Sequence, residues 1–329
     1  MHRRTFVATA AAAPFAAPAG LRAQAQATAP RIAFLGAFLR ADVDFVLGQI
    51  RAELEKLGWT DRRNIVLLEP RTAEGRNELL PSMAAEIVAQ GPDLVLTQSL
   101  PATRALMQAT KSIPIVMYGV GNPVELGIVT DYRKPGGNVT GSSYMANEYA
   151  SKLLQLLKEA APGLRSVAVF VNPSNEAAAA FLKQMRANAV ASGLQAQIVE
   201  VLGPGDFEAA FAAIRSANTQ AILLAPEPLI LSKREAIAAF AQTHRLPLAV
   251  VGGSRVLPAS GLMAFGPARD EYAQLAARYI DRILKGAKPG DLAVEQTTRF
   301  NLAINLRTAK ALGLTIPQSL LLRADEVIE

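Results

Sequence analysis

Polar and glycine residues follow most of the short apolar runs of the sequence, in loops that lead into amphipathic stretches. If the apolar runs are parallel strands, these loops share one edge of a sheet, where open α/β sheets bind small ligands. Helix N-termini that follow such loops supply free backbone amides as hydrogen-bond donors. The pattern selects the loops 36–38, 97–101, 118–123, 172–175, 226–229 and 252–255. The first of them offers Gly36 and Phe38 as candidate ligand contacts.

The loop 97–101 has the features of a small anion site. Pro101 suits the first turn of a helix, where no backbone N–H is needed, and Ser99 lies at the expected cap. The free amides and the helix dipole would together suit a carboxylate. We therefore take Gln98, Ser99 and Leu100 as candidate ligand contacts, with a simple capped helix as the alternative interpretation.

The residues needed for catalysis are scarce. No G-x-S-x-G motif is present, and His244 is the only histidine outside the first residues, near the end of a predicted helix. Asp42 and Asp44 look like helix-cap residues, and no acidic or histidine cluster has metal-ligand spacing. The glycine pairs form no nucleotide-binding fingerprint. We predict no catalytic residue, no metal site and no cofactor.

The elements that must position these loops occur in two successive series. Short β-branched runs alternate with amphipathic stretches up to Met117, and the alternation restarts after Pro162-Gly163. Continuous apolar strands that alternate with helices predict a parallel sheet covered on both faces. We expect an α/β fold of two doubly wound parallel-sheet lobes joined by a hinge of several crossings. The expected first lobe is 30–142 plus about 267–292, and the second is 143–266 plus about 293–329.

The N-terminal segment has the three parts of a secretory signal. Arg3 and Arg4 precede an apolar run from Phe6 to Leu21, which is followed by alternating small residues. The run is shorter than the roughly 20 residues of a spanning helix and contains prolines, which count against a membrane anchor or a first domain helix. We predict a signal peptide at 1–25, cleaved near residues 23–26. The paired arginines favour the twin-arginine export route over the ordinary one.

Composition excludes several classes of protein. The sequence has no cysteine, so it can carry neither a cysteine-linked lipid anchor nor disulfides. Without Arg3, Arg4 and Arg22 of the predicted signal, the net charge falls from +6 to +3, with no basic stripe typical of nucleic-acid binding. We expect a periplasmic monomer that has no nucleic-acid partner and is neither lipid-anchored nor embedded in the membrane.

Seven short motifs typical of one protein family occur between residues 113 and 328. They are I-P-I-V at 113–116, N-P-V-E-L-G at 122–127, P-G-G-N-V-T-G at 135–141, V-N-P at 171–173, I-L-K-G at 283–286, N-L-R-T-A-K-A-L-G-L at 305–314 and R-A-D-E-V-I at 323–328. Together they resemble the ABC-transporter substrate-binding family that includes tryptophan- and tyrosine-type binding proteins. The resemblance extends from Arg31 to Glu329.

The resemblance implies a type I periplasmic binding fold, in which loops from two lobes clamp a ligand. The contacts that it implies are Gln98, Ser99, Leu100, Gly121 and Asn122 in the first lobe, Asn172, Glu227 and Ser254 in the second, and Tyr144 near a crossing. For an amino-acid ligand, Ser99 would hold the carboxylate and Glu227 would neutralise the ammonium group by a charge-assisted hydrogen bond.

The sequence departs from the family pattern at the implied ligand contacts. Gln98-Ser99-Leu100 replaces a loop that is usually rich in glycine, Glu227 stands where aspartate is common, and the loop 251–254 lacks an aromatic residue. The resemblance therefore predicts the fold and the transport role more firmly than the ligand.

The favoured function is that of a periplasmic solute-binding protein of an ABC importer. Its ligand would be an amino acid, aromatic or other, or a related carboxylate, and its membrane partner would be the importer permease, which recognises the closed form. Ligand that contacts both lobes would shift an equilibrium between open and closed states. A binding protein that presents ligand to a sensory receptor is the alternative, and an exported α/β hydrolase dependent on His244 is the third possibility.

Overall fold

The computed structural model describes residues 29–144 and 146–329, so the predicted signal peptide lies outside the described residues. The strands are β1 (Arg31–Gly36), β2 (Val66–Leu67), β3 (Arg71–Thr72), β4 (Leu94–Gln98), β5 (Ile115–Gly121), β6 (Val139–Tyr144), β7 (Ser166–Val171), β8 (Gln195–Glu200), β9 (Ile222–Leu224), β10 (Leu248–Val251), β11 (Met263–Pro267), β12 (Glu295–Gln296), β13 (Phe300–Asn305) and β14 (Glu326–Ile328).

The helices alternate with these strands along most of the chain. They are α1 (Arg40–Lys56), α2 (Leu80–Ala89), α3 (Leu100–Ala109), α4 (Ala146–Ala160), α5 (Ala178–Ala191), α6 (Phe207–Ser216), α7 (Pro228–Ser232), α8 (Arg234–Thr243), α9 (Arg269–Leu284), α10 (Leu306–Ala311) and α11 (Gln318–Leu321). Among the described residues, none of these helices is both long and apolar enough to cross a membrane.

The strands form two seven-stranded sheets, one in each lobe. The first has the order β12-β6-β5-β4-β1-β2, with β3 also paired to β1, and the second has the order β14-β13-β11-β10-β9-β7-β8. Alternate residues of a strand face opposite sides, so Ile32 and Phe34 of β1 pack with α1 and α9, whereas Ala33 and Leu35 pack with α2 and α3. The second sheet is covered in the same way by α4 and α5 on one face and by α6 and α8 on the other. The predicted two-lobed α/β architecture is confirmed.

The second sheet is not wholly parallel, in contrast to the prediction. Strand β13 runs antiparallel to β11, with Met263 opposite Ile304 and Pro267 opposite Phe300, whereas the other pairs of both sheets are parallel. Between β11 and β13 the chain leaves the second sheet, forms α9 and β12 in the first lobe, and then returns. Strand β13 is therefore not joined to β11 by the crossover within one sheet that connects parallel neighbours.

The described chain passes between the sheets three times, between β6 and β7, between β11 and β12, and between β12 and β13. Strand β6 stays in the first sheet to Tyr144, and β12 pairs with it at Glu295 and Gln296. We therefore propose lobe boundaries a few residues beyond the expected positions at 142 and 292. On this proposal the first lobe comprises about 30–144 and 268–297, and the second comprises about 146–267 and 298–329.

Strand β5 continues to Gly121, so the predicted loop 118–123 lies largely within a strand. Its pairing with β6 shifts register between Met117 and Val120. At this bulge, a side chain on Gly141 would place its Cβ atom 2.3 Å from the Met117 carbonyl oxygen, and Gly141 has a φ of 133°. Only glycine allows this close approach, which gives a physical reason for the last residue of the P-G-G-N-V-T-G motif.

Candidate ligand-binding site

The carboxyl ends of strands from both sheets enclose a cavity of about 190 Å³, here called the main cavity. Eight of the residues predicted from the sequence line it: Phe38, Ser99, Leu100, Gly121, Asn122, Tyr144, Asn172 and Glu227. They come from the ends of β1, β4, β5, β6, β7 and β9, so five of the six loops selected from the sequence meet at one place.

The other three predicted residues lie outside the main cavity. Gln98 lines a second, smaller cavity of about 110 Å³, here called the side cavity. Gly36 and Ser254 line neither. The carbonyl oxygen of Gly36 already accepts a hydrogen bond from the Ala73 N–H at 3.0 Å, within the protein. Ser254 begins a short 3₁₀ turn, and the preceding Gly252 and Gly253 line the side cavity instead.

Fifteen further residues line the main cavity and were not named as contacts from the sequence, although five of them lie in the selected loops 97–101, 118–123, 172–175 and 226–229. They are Pro101, Gly119, Glu125, Leu126, Phe170, Val171, Asn175, Ala177, Ala178, Ala180, Phe181, Ala225, Pro226, Pro228 and Ile230. Most are apolar. Phe181, for example, belongs both to the buried core beneath α5 and to the cavity wall. A residue that lines a closed interlobe cleft has the same periodicity as a core residue, so the pattern cannot distinguish the two.

Ser99 adopts a strained backbone conformation at the N-terminus of α3. Its φ is 93° and its ψ is 152°, a region that is essentially restricted to glycine. Its Oγ atom accepts a hydrogen bond from the Ala102 N–H at 3.4 Å, which is a long capping bond, and its carbonyl oxygen accepts from the Thr103 hydroxyl at 2.8 Å. Strain of this kind clusters at ligand clamps, and here it occurs at a residue that lines the main cavity.

We expect Ser99→Gly to be more stable than Ser99→Ala by at least about 1 kcal/mol, because only glycine relieves the positive φ, whereas alanine loses the cap and keeps the strain. Chemical denaturation of the ligand-free variants measures the difference. Equal stabilities of the two variants would mean that the conformation at residue 99 stores no strain.

Glu227 is a buried carboxyl at the edge of the main cavity, with 7% of its surface exposed. It caps α7, where Oε2 accepts a hydrogen bond from the Ile230 N–H at 3.0 Å. Oε1 accepts longer bonds from the amides of Asn172, at 3.3 Å, and Asn77, at 3.4 Å. Burial raises the pKa of Glu227 above its ordinary value, and these hydrogen bonds offset part of the rise. The carboxylate would therefore gain from a cationic partner.

The charges around the main cavity are unbalanced. Among the described residues that line it, Glu125 and Glu227 are acidic, and none is lysine, arginine or histidine. A positively charged group of a ligand therefore finds a carboxylate in the cavity. A negative group could bind only to backbone amides and neutral side chains, of which the α3 N-terminus beside Ser99 is the best placed.

A buried ion pair joins the lobes beside the two cavities. Both terminal nitrogens of Arg234 in α8 donate to the Asp42 carboxylate in α1, at 2.8 and 3.2 Å. Their side chains are only 12% and 8% exposed. The sequence suggested that Asp42 is a helix-cap residue, but the cap is Leu39, and Asp42 lies in the first turn. Its carboxylate is used for contact with the second lobe.

Two further contacts cross between the lobes. The guanidinium group of Arg104 in α3 donates to both carboxylate oxygens of Glu176, at 2.8 and 2.9 Å, where the side chains are 29% and 45% exposed. The guanidinium carbon of Arg255 lies 4.3 Å from the centre of the Phe45 ring. These contacts hold the lobes together around the cavities and describe a closed cleft.

His244 has no part in this site. It is the C-terminal capping residue of α8, as the sequence suggested, and its ring centre lies 4.5 Å from that of Phe240. It lines neither cavity. Within the described chain, no group of three or more histidine, aspartate or glutamate side chains could hold a metal ion.

Comparison with known proteins agrees with this geometry. The family of ABC transporter substrate binding proteins matches residues 43–328. A tyrosine-binding protein of Clostridioides difficile (strain R20291) is 26% identical over 269 residues, which are 81% of this chain and 76% of that protein.

Solved structures of the same kind superpose on the chain. The ABC domain from Streptococcus pneumonia in complex with L-Trp has a TM-score of 0.84 and 25% identity, covering 92% of this chain and all of that chain. The ligand-free, open structure of a substrate binding protein with adhesive properties from Clostridium difficile has a TM-score of 0.65 at 22% identity, covering 91% of this chain and 99% of that one, and shares the fold. The chain therefore belongs to the ABC transporter substrate-binding protein family, whose members bind small molecules and are not enzymes.

Proposed function

We propose that the main cavity binds an amino acid with an aromatic or other apolar side chain, and that the protein supplies it to the permease of an ABC importer. The observation that carries the proposal is the buried carboxyl of Glu227 in a largely apolar cavity that also receives the N-terminus of α3. An ammonium group, a carboxylate and an apolar side chain are the three parts that such a cavity complements.

The position of each part follows from the chemistry of the lining. The ammonium group would bind Glu227, where a charge-assisted hydrogen bond compensates for the buried charge. The carboxylate would accept hydrogen bonds from the Ser99 hydroxyl and the Leu100 N–H, since Pro101 has no N–H and the Ala102 and Thr103 N–H groups already donate to Ser99. The side chain would pack against the apolar wall that includes Phe170 and Phe181.

The proposed transport role rests on contacts from both lobes. Ser99 belongs to the first lobe and Glu227 to the second, so a ligand that binds both is held fully only when the cleft is closed. Differential affinity of this kind shifts the population toward the closed state, which the permease would recognise. Relatives that bind tyrosine or L-Trp support the choice of an aromatic amino acid.

The proposed site of action is the periplasm. The basic start, short apolar run and small residues of 1–25 support export and cleavage of a signal peptide there. The absence of cysteine in the sequence supports a mature protein without a cysteine-linked lipid anchor.

Isothermal titration calorimetry with matched ligands tests the proposal. We expect tyrosine to bind, whereas tyramine, which lacks the carboxylate, and 3-(4-hydroxyphenyl)propionate, which lacks the ammonium group, each bind at least about tenfold more weakly, because each loses one charge-assisted hydrogen-bonding partner. Phenylalanine and tryptophan extend the series to other rings, and leucine tests whether an aromatic ring is needed.

Equal affinities for tyrosine and 3-(4-hydroxyphenyl)propionate would contradict the role of Glu227. No binding of any amino acid, together with binding of a ligand that lacks an ammonium group, would overturn the proposed ligand class and leave the family assignment untouched.

A further inference from the structure

The side cavity adjoins the main cavity inside the same interlobe cleft. The two share Phe38, Gly119, Tyr144 and Pro226 as lining residues. Both lobes line the side cavity as well, through residues such as Gln98 and Gly253. A group bound in the side cavity would therefore also be enclosed by closure of the lobes, as part of the same binding event.

Two polar residues of the main cavity are sequence neighbours of residues that line the side cavity. Ser99 lines the main cavity and its neighbour Gln98 lines the side cavity, whereas Pro226 lines both and its neighbour Glu227 lines the main cavity. Ser99 and Glu227 are the residues proposed to hold the carboxylate and the ammonium group. The apolar wall at Phe181 does not reach the side cavity. This arrangement favours a ligand that reaches the side cavity through its backbone groups and not through its side chain.

The side cavity contains an unused hydrogen-bond acceptor. The Oε1 atom of Gln98 is buried and has no hydrogen-bond partner among the described residues. Asp42 also lines this cavity, but Arg234 already donates to both of its carboxylate oxygens. A buried acceptor without a partner is costly, so Gln98 favours a ligand that brings an N–H or O–H group.

Glycines make the room in the side cavity. A Cβ atom on Gly119 would lie 3.3 Å from Cζ of Tyr272, and a Cβ atom on Gly252 would lie 2.6 Å from Cγ2 of Val256. The volume of about 110 Å³ is smaller than the roughly 150 Å³ of a cavity that binds benzene, which leaves room for one small residue.

We propose, on the basis of the proposed function, that the preferred ligand is a dipeptide with a free N-terminus, an apolar or aromatic first residue and a small second residue. The ammonium group binds Glu227 and the first side chain fills the main cavity. The carbonyl oxygen of the peptide bond takes the place beside Ser99. The peptide N–H donates to Gln98 Oε1, and the second residue occupies the side cavity. Its carboxylate stays at the open mouth in contact with water, because Asp42 is the only charged residue among the described residues that line this cavity.

The first test compares tyrosine, Tyr-Gly and Gly-Tyr by isothermal titration calorimetry on the wild-type protein. We expect Tyr-Gly to bind about tenfold more tightly than tyrosine, because it satisfies the buried acceptor. Gly-Tyr has the same composition with the residues reversed, and we expect it to bind more weakly than Tyr-Gly, because its N-terminal residue does not fill the main cavity.

Two variants assign the effect to the side cavity. Gln98→Leu removes the acceptor, and Gly253→Val adds a side chain at a position whose φ of −75° accepts one. Each should remove the advantage of Tyr-Gly over tyrosine, and Gly253→Val should leave the affinity for tyrosine within about threefold of wild type. Glu227→Gln should weaken both ligands.

The outcomes separate the two proposals. If tyrosine binds and Tyr-Gly binds no more tightly, the dipeptide proposal is wrong and the proposed amino-acid site is unaffected. The same follows if Gln98→Leu keeps the full advantage of Tyr-Gly over tyrosine. If neither ligand binds the wild-type protein, the proposed function itself is wrong. It is also wrong if both ligands bind Glu227→Gln as tightly as they bind wild type.

Discussion

Glu227→Gln is expected to weaken the binding of an ammonium-bearing ligand by about 3 kcal/mol, somewhat more than a hundredfold in Kd, because the ligand charge then stays buried without its partner. Glutamine has nearly the same size and can still accept the Ile230 N–H that caps α7. Glu227→Ala should abolish detectable binding. Calorimetry gives the affinities, and circular dichroism of the ligand-free variants shows that the fold is retained.

The matched control is Glu125→Gln. Glu125 lines the same cavity, but it is exposed to solvent, where a single charge contributes about 1 kcal/mol or less. We expect its affinity to stay within about fivefold of wild type. A similar loss in both variants would mean that the cavity attracts cations through its overall charge, and that Glu227 makes no specific bond.

The raised pKa of Glu227 adds a pH dependence to the same prediction. Below this pKa the free protein carries a protonated carboxyl, which must lose its proton before it can pair with an ammonium group. Wild-type affinity should therefore fall as the pH decreases, starting above the ordinary glutamate value of 4.5 and approaching about tenfold per pH unit. In Glu227→Gln the affinity should be independent of pH over this range. A pH-independent wild-type affinity would contradict the assignment.

The second large effect on ligand affinity is expected when one partner of the Asp42–Arg234 ion pair is removed. In Asp42→Asn the guanidinium group of Arg234 becomes buried without a carboxylate whenever the lobes close. Opening restores its contact with water, so the variant should shift toward the open state. We expect ligand affinity to fall by about 2 kcal/mol, roughly thirtyfold, with most of the change in the dissociation rate. Stopped-flow fluorescence and calorimetry measure the rate and the affinity.

The pair between Arg104 and Glu176 supplies the comparison. It also joins the lobes with two hydrogen bonds, but its side chains are 29% and 45% exposed. Glu176→Gln should therefore cost about 1 kcal/mol or less. In the double variant Asp42→Asn with Arg234→Met, part of the affinity should return, because no uncompensated charge is left. Equal losses in Asp42→Asn and Glu176→Gln would show that burial of the pair does not control closure.

The loop positions were largely predictable because strands and helices alternate with clear periods. The loop 97–101 does open a helix, as predicted, and that helix begins at Leu100. Parallel order then brings loops from separate strands to one edge, so Ser99 and Glu227 could be placed together without a structure. The structure differs from the prediction where the local sequence pattern gives no information. One example is the bulge that extends β5 to Gly121.

The sequence by itself determined the class of the fold, the polar ends of the strands and the shortage of catalytic residues, because each depends on local periodicity or on composition. Only the tertiary structure decided which residues line the cavities between the lobes. Asp42 and Arg234 are 192 positions apart, and no sequence spacing relates them. Likewise, consecutive Gln98 and Ser99 face different cavities, and Phe181 lines a cleft although its pattern is that of a core residue. These residues come together because one lobe closes on the other. The local pattern of a single helix or strand cannot predict which residues of the two lobes will meet.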